Sequence, residues 1–172
     1  MRENWRDMLS NWMVKSLPLF VSVLWLFISF IPLHSAISSN ARPMFGLLCV
    51  FFWAVYRPYL FGLGAVFLLG VFADLQSTGP LGLNLFMFLV MYLLVINLSK
   101  YIPEKTFELM WLGLSLLLFA VLFSGWFLLS VYYAQFLPIK GLVFSYFISL
   151  AVYPVVGGIN ALIVNNCLQE DN

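Results

Sequence analysis

Long apolar runs separated by short polar clusters organise this chain. The runs fall at about residues 17–33, 44–56, 59–75, 83–99, 107–131 and 142–165. Each is helical in length, and about 20 apolar residues suffice to cross a bilayer. The pattern predicts an all-α polytopic membrane protein with six transmembrane helices. The second run is short for a full crossing and ends at Arg57-Pro58, so runs two and three are expected to form a tight hairpin. Ahead of the first run, Trp5, Met8, Leu9, Trp12 and Met13 recur at three- and four-residue spacing, with Arg2, Arg6 and Lys15 elsewhere around the helix. That is the pattern of a helix lying in the headgroup plane. The expected organisation is an interfacial segment at 1–16, a six-helix domain at 17–165 and a short acidic tail at 166–172.

Composition agrees with a bilayer setting. The chain is 63% hydrophobic and only 9% charged, against about 25% charged residues in soluble domains. Six spans leave only short loops and tails among 172 residues, so no separate soluble domain is expected. The first run is long for a signal-peptide core, so it is expected to be retained. Basic residues set the orientation. A cytoplasmic N-terminus places Arg2, Arg6, Lys15, Arg57, Lys100 and Lys105 inside, and only Arg42 and Lys140 outside. Both termini are therefore expected in the cytoplasm.

Helices in lipid associate through small residues and polar contacts. In the third run Gly62, Val66, Gly70 and Asp74 share one stripe, which points Asp74 toward protein. Ala151, Pro154, Gly158, Ala161 and Asn165 make a comparable stripe in the sixth, so Gly62, Pro154 and Gly158 are expected at helix contacts. Pro154 also deprives the Leu150 carbonyl of its donor, which predicts a local kink.

Asp74 is the only acidic residue between Asp7 and Glu104. A carboxylate at the mouth of an apolar helix is costly without a partner or water. Behind it, Ser77-Thr78-Gly79-Pro80-Leu81-Gly82 turns the chain toward a new helix. Asp74, Ser77 and Thr78 could each accept from the free N–H groups at that helix start; Asp74 could also tie the loop to a neighbouring span or another protein.

Catalytic chemistry is not visible. The single histidine, His34, lies near the outer end of the first run, and Cys49 and Cys167 are too far apart in setting to suggest a disulfide framework or a zinc site. Asp74 lacks a second intramembrane acid for a proton relay. No enzyme activity, metal or cofactor is expected.

The segment from Trp53 to Asn84 resembles the MreD family of bacterial rod-shape-determining membrane proteins. It carries Trp53 before Arg57-Pro58, then Gly70 to Asp74, then Gly79-Pro80-Leu81-Gly82 and Asn84. Chain length and span number agree as well, although relatives often end in basic residues where this chain ends Gln169-Glu170-Asp171-Asn172. The resemblance implies a non-enzymatic inner-membrane scaffold that binds MreC. It would work beside a glycan polymerase, a penicillin-binding transpeptidase and MreB in lateral peptidoglycan synthesis. Asp74, Gly70, Gly79, Pro80, Gly82, Asn84, Arg57 and Pro58 are its expected structural and partner-binding residues. It also implies a helical bundle similar to the substrate-binding S components of vitamin transporters. Such a binder is the alternative function, against which the polar residues Asn84, Asn97, Gln135 and Asn160 are scattered along the chain.

Overall fold

A helix that is apolar around its whole circumference must be covered on every side, by protein or by lipid, and the second helix is covered by protein. The computed structural model describes residues 3–30, 42–99 and 107–167, with the side chains of 16–29, 42–99 and 108–164. Its helices are α1 (Glu3–Phe30), α2 (Phe45–Tyr56), α3 (Leu63–Gln76), α4 (Leu83–Ser99), α5 (Phe107–Tyr132) and α6 (Lys140–Cys167). Every residue of α2 from Phe45 to Val55 is buried. Its 12 residues make a rod of about 18 Å, shorter than the roughly 30 Å of a hydrocarbon core. The longer α5 and α6 carry the lipid-compatible surface, and their segments Glu108–Tyr132 and Lys140–Val164 are long and apolar enough to cross a membrane.

Helices α1, α4 and α6 hold α2. The Trp25 ring of α1 stacks on Phe45 at 5.2 Å, and α4 closes over Gly46, where an added Cβ would stand 2.3 Å from Phe88 Cζ. From α6, the Ser149 hydroxyl accepts the Met44 N–H at 2.9 Å, and Ser145 accepts that of Arg42 at 3.3 Å. Tyr153 meets Phe51 edge-on, and Leu117 and Leu118 of α5 add to the same core. The chain entering α2 is thus tied through two backbone N–H groups to a neighbouring helix.

The chain between Arg57 and Gly62 is a turn, with the Leu60 and Phe61 N–H groups donating to the Arg57 carbonyl. Consequently α3 starts at Leu63, four residues later than expected. It packs mainly along α4 and not back along α2 as a hairpin. Residues 3–16 continue as one helix with the first apolar run. The faces of Trp5 to Met13, the position of His34 and the loop at 35–41, the Lys100–Lys105 cluster and the acidic end at 168–172 lie outside the described residues.

The α6 contact stripe and the first residue of the α3 stripe are corrected. Gly62 precedes α3 as its N-cap residue, and an added Cβ there meets nothing within 4 Å; Gly158 is equally open, and Pro154 is exposed. The inner face of α6 carries Ser145, Ser149, Tyr153, Val156 and Asn160 instead. That face is selected by Ser145 and Ser149, which bond the chain entering α2, and by Tyr153 against Phe51. The glycines at close helix crossings are Gly46, Gly70 and Gly125, the last against Met87 Sδ. The Leu150 carbonyl, which Pro154 leaves without its helical donor, accepts the Trp111 indole N–H at 3.3 Å.

The end of α5 predicts a measurable effect. The Ala134 N–H donates to Val131 O and the Gln135 N–H to Ser130 O, the paired bonds of a Schellman ending, which calls for a left-handed residue. Ala134 occupies that position at φ 50°. Ala134→Gly is expected to raise stability by about 1 kcal/mol, read as a higher unfolding midpoint in detergent.

Candidate functional site

The residues around Asp74 form a joint between α3 and α4. Helix α4 begins with N–H groups that have no partner inside the helix. Asp74, in the last turn of α3, accepts them across the loop. Its Oδ1 takes the Asn84 N–H at 2.9 Å and the Asn84 side-chain amide at 3.1 Å; its Oδ2 takes the N–H groups of Gly82 at 3.0 Å and Leu85 at 3.1 Å. The Leu83 N–H goes to Pro80 O at 3.4 Å, and the first helical bond of α4 follows from Phe86 N–H to Gly82 O. Each carboxylate oxygen therefore accepts two donors, and the residue is only 4% exposed. A negative charge at a helix N-terminus adds a favourable dipole term.

Glycines set the geometry of this joint. At Gly70 an added Cβ would lie 2.7 Å from Leu85 Cα, so α3 and α4 touch backbone to backbone one turn below the carboxylate. Gly82 has φ +94°, a left-handed conformation that glycine adopts freely and that turns its N–H onto Oδ2. Gly79 is exposed and needs no absent side chain, since the nearest atom to an added Cβ is Ser77 Oγ at 4.0 Å.

Of the three expected acceptors only Asp74 caps α4. The Ser77 hydroxyl donates to the Asp74 carbonyl at 3.1 Å, closing α3, and Thr78 is exposed. Gly70, Asp74, Pro80, Gly82 and Asn84 come together. Arg57 and Pro58 do not, because they precede α3 while Asp74 is near its far end, about 16 Å away along the helix. There the Arg57 guanidinium donates to the Tyr59 hydroxyl at 2.7 Å. Sequence reasoning missed the capture of the α2 entry by Ser145 and Ser149; four-residue spacing of two serines in an apolar helix was the available signal. The residues a small-molecule pocket would need do not converge: Asn84 is held by Asp74, Asn97 and Gln135 are exposed, and Asn160 is buried in the core. Among the described residues no three His, Cys, Asp or Glu side chains group together.

An all-helical fold with membrane-length apolar helices, and a carboxylate held by a helix start, defines a membrane protein whose most specific polar site is structural. The family model described as rod shape-determining protein MreD matches residues 10–158, and the chain belongs to that family. The match contains both the Arg57-Pro58 turn and the Asp74 joint. Neither a curated protein nor a solved structure matches the chain.

Proposed function

We propose that this protein is a non-enzymatic scaffold of the cell-wall elongation machinery in the bacterial inner membrane. It binds MreC and supports lateral peptidoglycan synthesis beside a glycan polymerase, a penicillin-binding transpeptidase and MreB. Family membership supports the rod-shape role. Six crossings with both termini in the cytoplasm are supported by the six-to-two bias of basic residues and by the alternating directions of neighbouring helices. Met87 faces Gly125 between α4 and α5, and Trp111 reaches Leu150 between α5 and α6.

The observation that carries the partner reading is the Asp74 joint. Its carboxylate is saturated internally, so its outward offering is apolar: Leu75 and Leu81 flank it with 73% and 79% of their surface exposed. A rigid apolar corner at the outer end of α3 suits the membrane-proximal part of a single-span partner such as MreC. Leu75→Asn with Leu81→Asn is expected to lower MreC co-purification about tenfold and to round the cells, with the unfolding midpoint unchanged. Undiminished MreC recovery from this folded variant would remove Leu75 and Leu81 from the interface. Asp74→Ala and Gly82→Leu should reach the same phenotype by loosening the joint, while the protein still inserts.

A further inference from the structure

The chain between α5 and α6 is short, apolar and held in place. The Schellman ending of α5 fixes its first turn. The Leu137 carbonyl accepts the Trp126 indole N–H at 3.2 Å, which ties the loop back onto α5. Held in this way, Tyr132, Tyr133, Phe136 and Ile139 all stand exposed, Phe136 with 92% of its surface. The level of the loop in a bilayer follows from its neighbours. One membrane-length segment ends at Tyr132 and the other begins at Lys140, so residues 133–139 lie where hydrocarbon gives way to headgroups.

Charge at this end of the bundle is one-sided. Gly46 packs against Phe88 and Gly125 against Met87, so the starts of α2 and α4 and the last turns of α5 share one end. The sequence has a single acid between Asp7 and Glu104, namely Asp74, and none between Glu108 and Glu170. Asp74 is buried, with both oxygens already occupied by the start of α4. Two cations at the same end are exposed, Arg42 and Lys140. The Arg42 N–H donates to Ser145 Oγ at 3.3 Å, and Lys140 opens the same helix little more than one turn before Ser145. Their Cα atoms therefore lie within about 16 Å of each other, a gap that two long side chains can share.

We propose that this corner docks an anionic phospholipid, with Phe136 and Ile139 among the acyl chains and the headgroup phosphate held by Lys140 and Arg42. An exposed apolar ledge needs an apolar cover, and at this level of the bilayer the cover is hydrocarbon. Tyr132 and Tyr133 suit the headgroup boundary, since each joins an apolar ring to a hydroxyl. The unopposed positive charge selects lipids whose phosphate is not offset by a headgroup cation. Such docking needs α5 and α6 to cross the membrane and is independent of any protein partner.

Phe136→Trp in the full chain, reconstituted into nanodiscs of equal parts phosphatidylglycerol and phosphatidylcholine, tests this. The substitution adds fluorescence over the unsubstituted chain. That increment is expected to be quenched about threefold more when phosphatidylglycerol carries brominated acyl chains than when phosphatidylcholine does. Arg42→Gln with Lys140→Gln should make the two lipids equal, and Arg42→Lys with Lys140→Arg should keep the preference. Equal quenching with both cations in place would overturn the proposal, as would a preference that survives their removal. Absence of quenching by either lipid would overturn it too. The unsubstituted chain, with Trp111 exposed on α5, then shows whether the loop alone or the whole crossing has failed. Equal quenching together with loss of MreC from the Arg42→Gln, Lys140→Gln variant would assign the corner to an acidic protein segment instead.

Discussion

Asp74→Asn is expected to destabilise the protein by about 3–4 kcal/mol, because it keeps the shape of the side chain and inverts half of its chemistry. An amide retains one acceptor oxygen and presents an NH2 where the second oxygen was. In either orientation of the amide, two of the four donors now held by the carboxylate would face another donor. Hydrogen bonds to a charged group contribute about 1.5–3 kcal/mol each, and the favourable interaction with the α4 dipole is lost as well. Asn84→Ala removes one side-chain donor and leaves the three backbone donors in place, so about 1 kcal/mol is expected. Unfolding of the detergent-solubilised variants by increasing denaturant measures both. A carboxylate reserved for a partner would behave otherwise: Asp74→Asn would keep its unfolding midpoint and lose only co-purification.

Gly70→Ala is expected to cost about 2–3 kcal/mol and to resist rescue. The methyl group would meet the Leu85 Cα at 2.7 Å, and shortening the Leu85 side chain cannot move its backbone. Gly46→Ala makes an informative contrast. Its nearest neighbour is the Phe88 ring tip at 2.3 Å, with Leu26 Cδ2 at 3.0 Å, so the obstruction is a side chain. Phe88→Leu in that background should recover most of the lost stability, while Leu85→Ala in the Gly70→Ala background should recover little. Comparing the two double variants by unfolding midpoint separates backbone from side-chain approach. Equal rescue in both would show that α3 and α4 can slide past each other at this crossing.

Helix positions were legible because the apolar runs are long and the breaks carry proline, glycine or charge. Helix α4, predicted over residues 83–99, matches Leu83–Ser99. Its lower boundary is set by Asp74 and Gly82, both visible in sequence. The start of α3 was not legible, since Tyr59, Leu60 and Phe61 are as apolar as a helix and only the Arg57 carbonyl reveals the turn. The inner face of α6 was misjudged for a related reason. Small residues signal close approach only when they face a neighbour, and a helix at the edge of a bundle can turn them outward. In the third helix Val66, Gly70 and Asp74 did share the buried face, because the carboxylate needs the α4 start and so fixes the rotation of α3. A bonding requirement orients a helix more firmly than the size of its residues does.

The Asp74 joint also constrains the order of events during synthesis. The carboxylate leaves the ribosome ahead of residues 82–85, which supply its donors. Until those residues emerge, α3 alone would carry an uncompensated charge into the hydrocarbon. The stretch from Leu63 to Ser99 is therefore expected to insert as a single helical pair, its charge already matched by the start of α4.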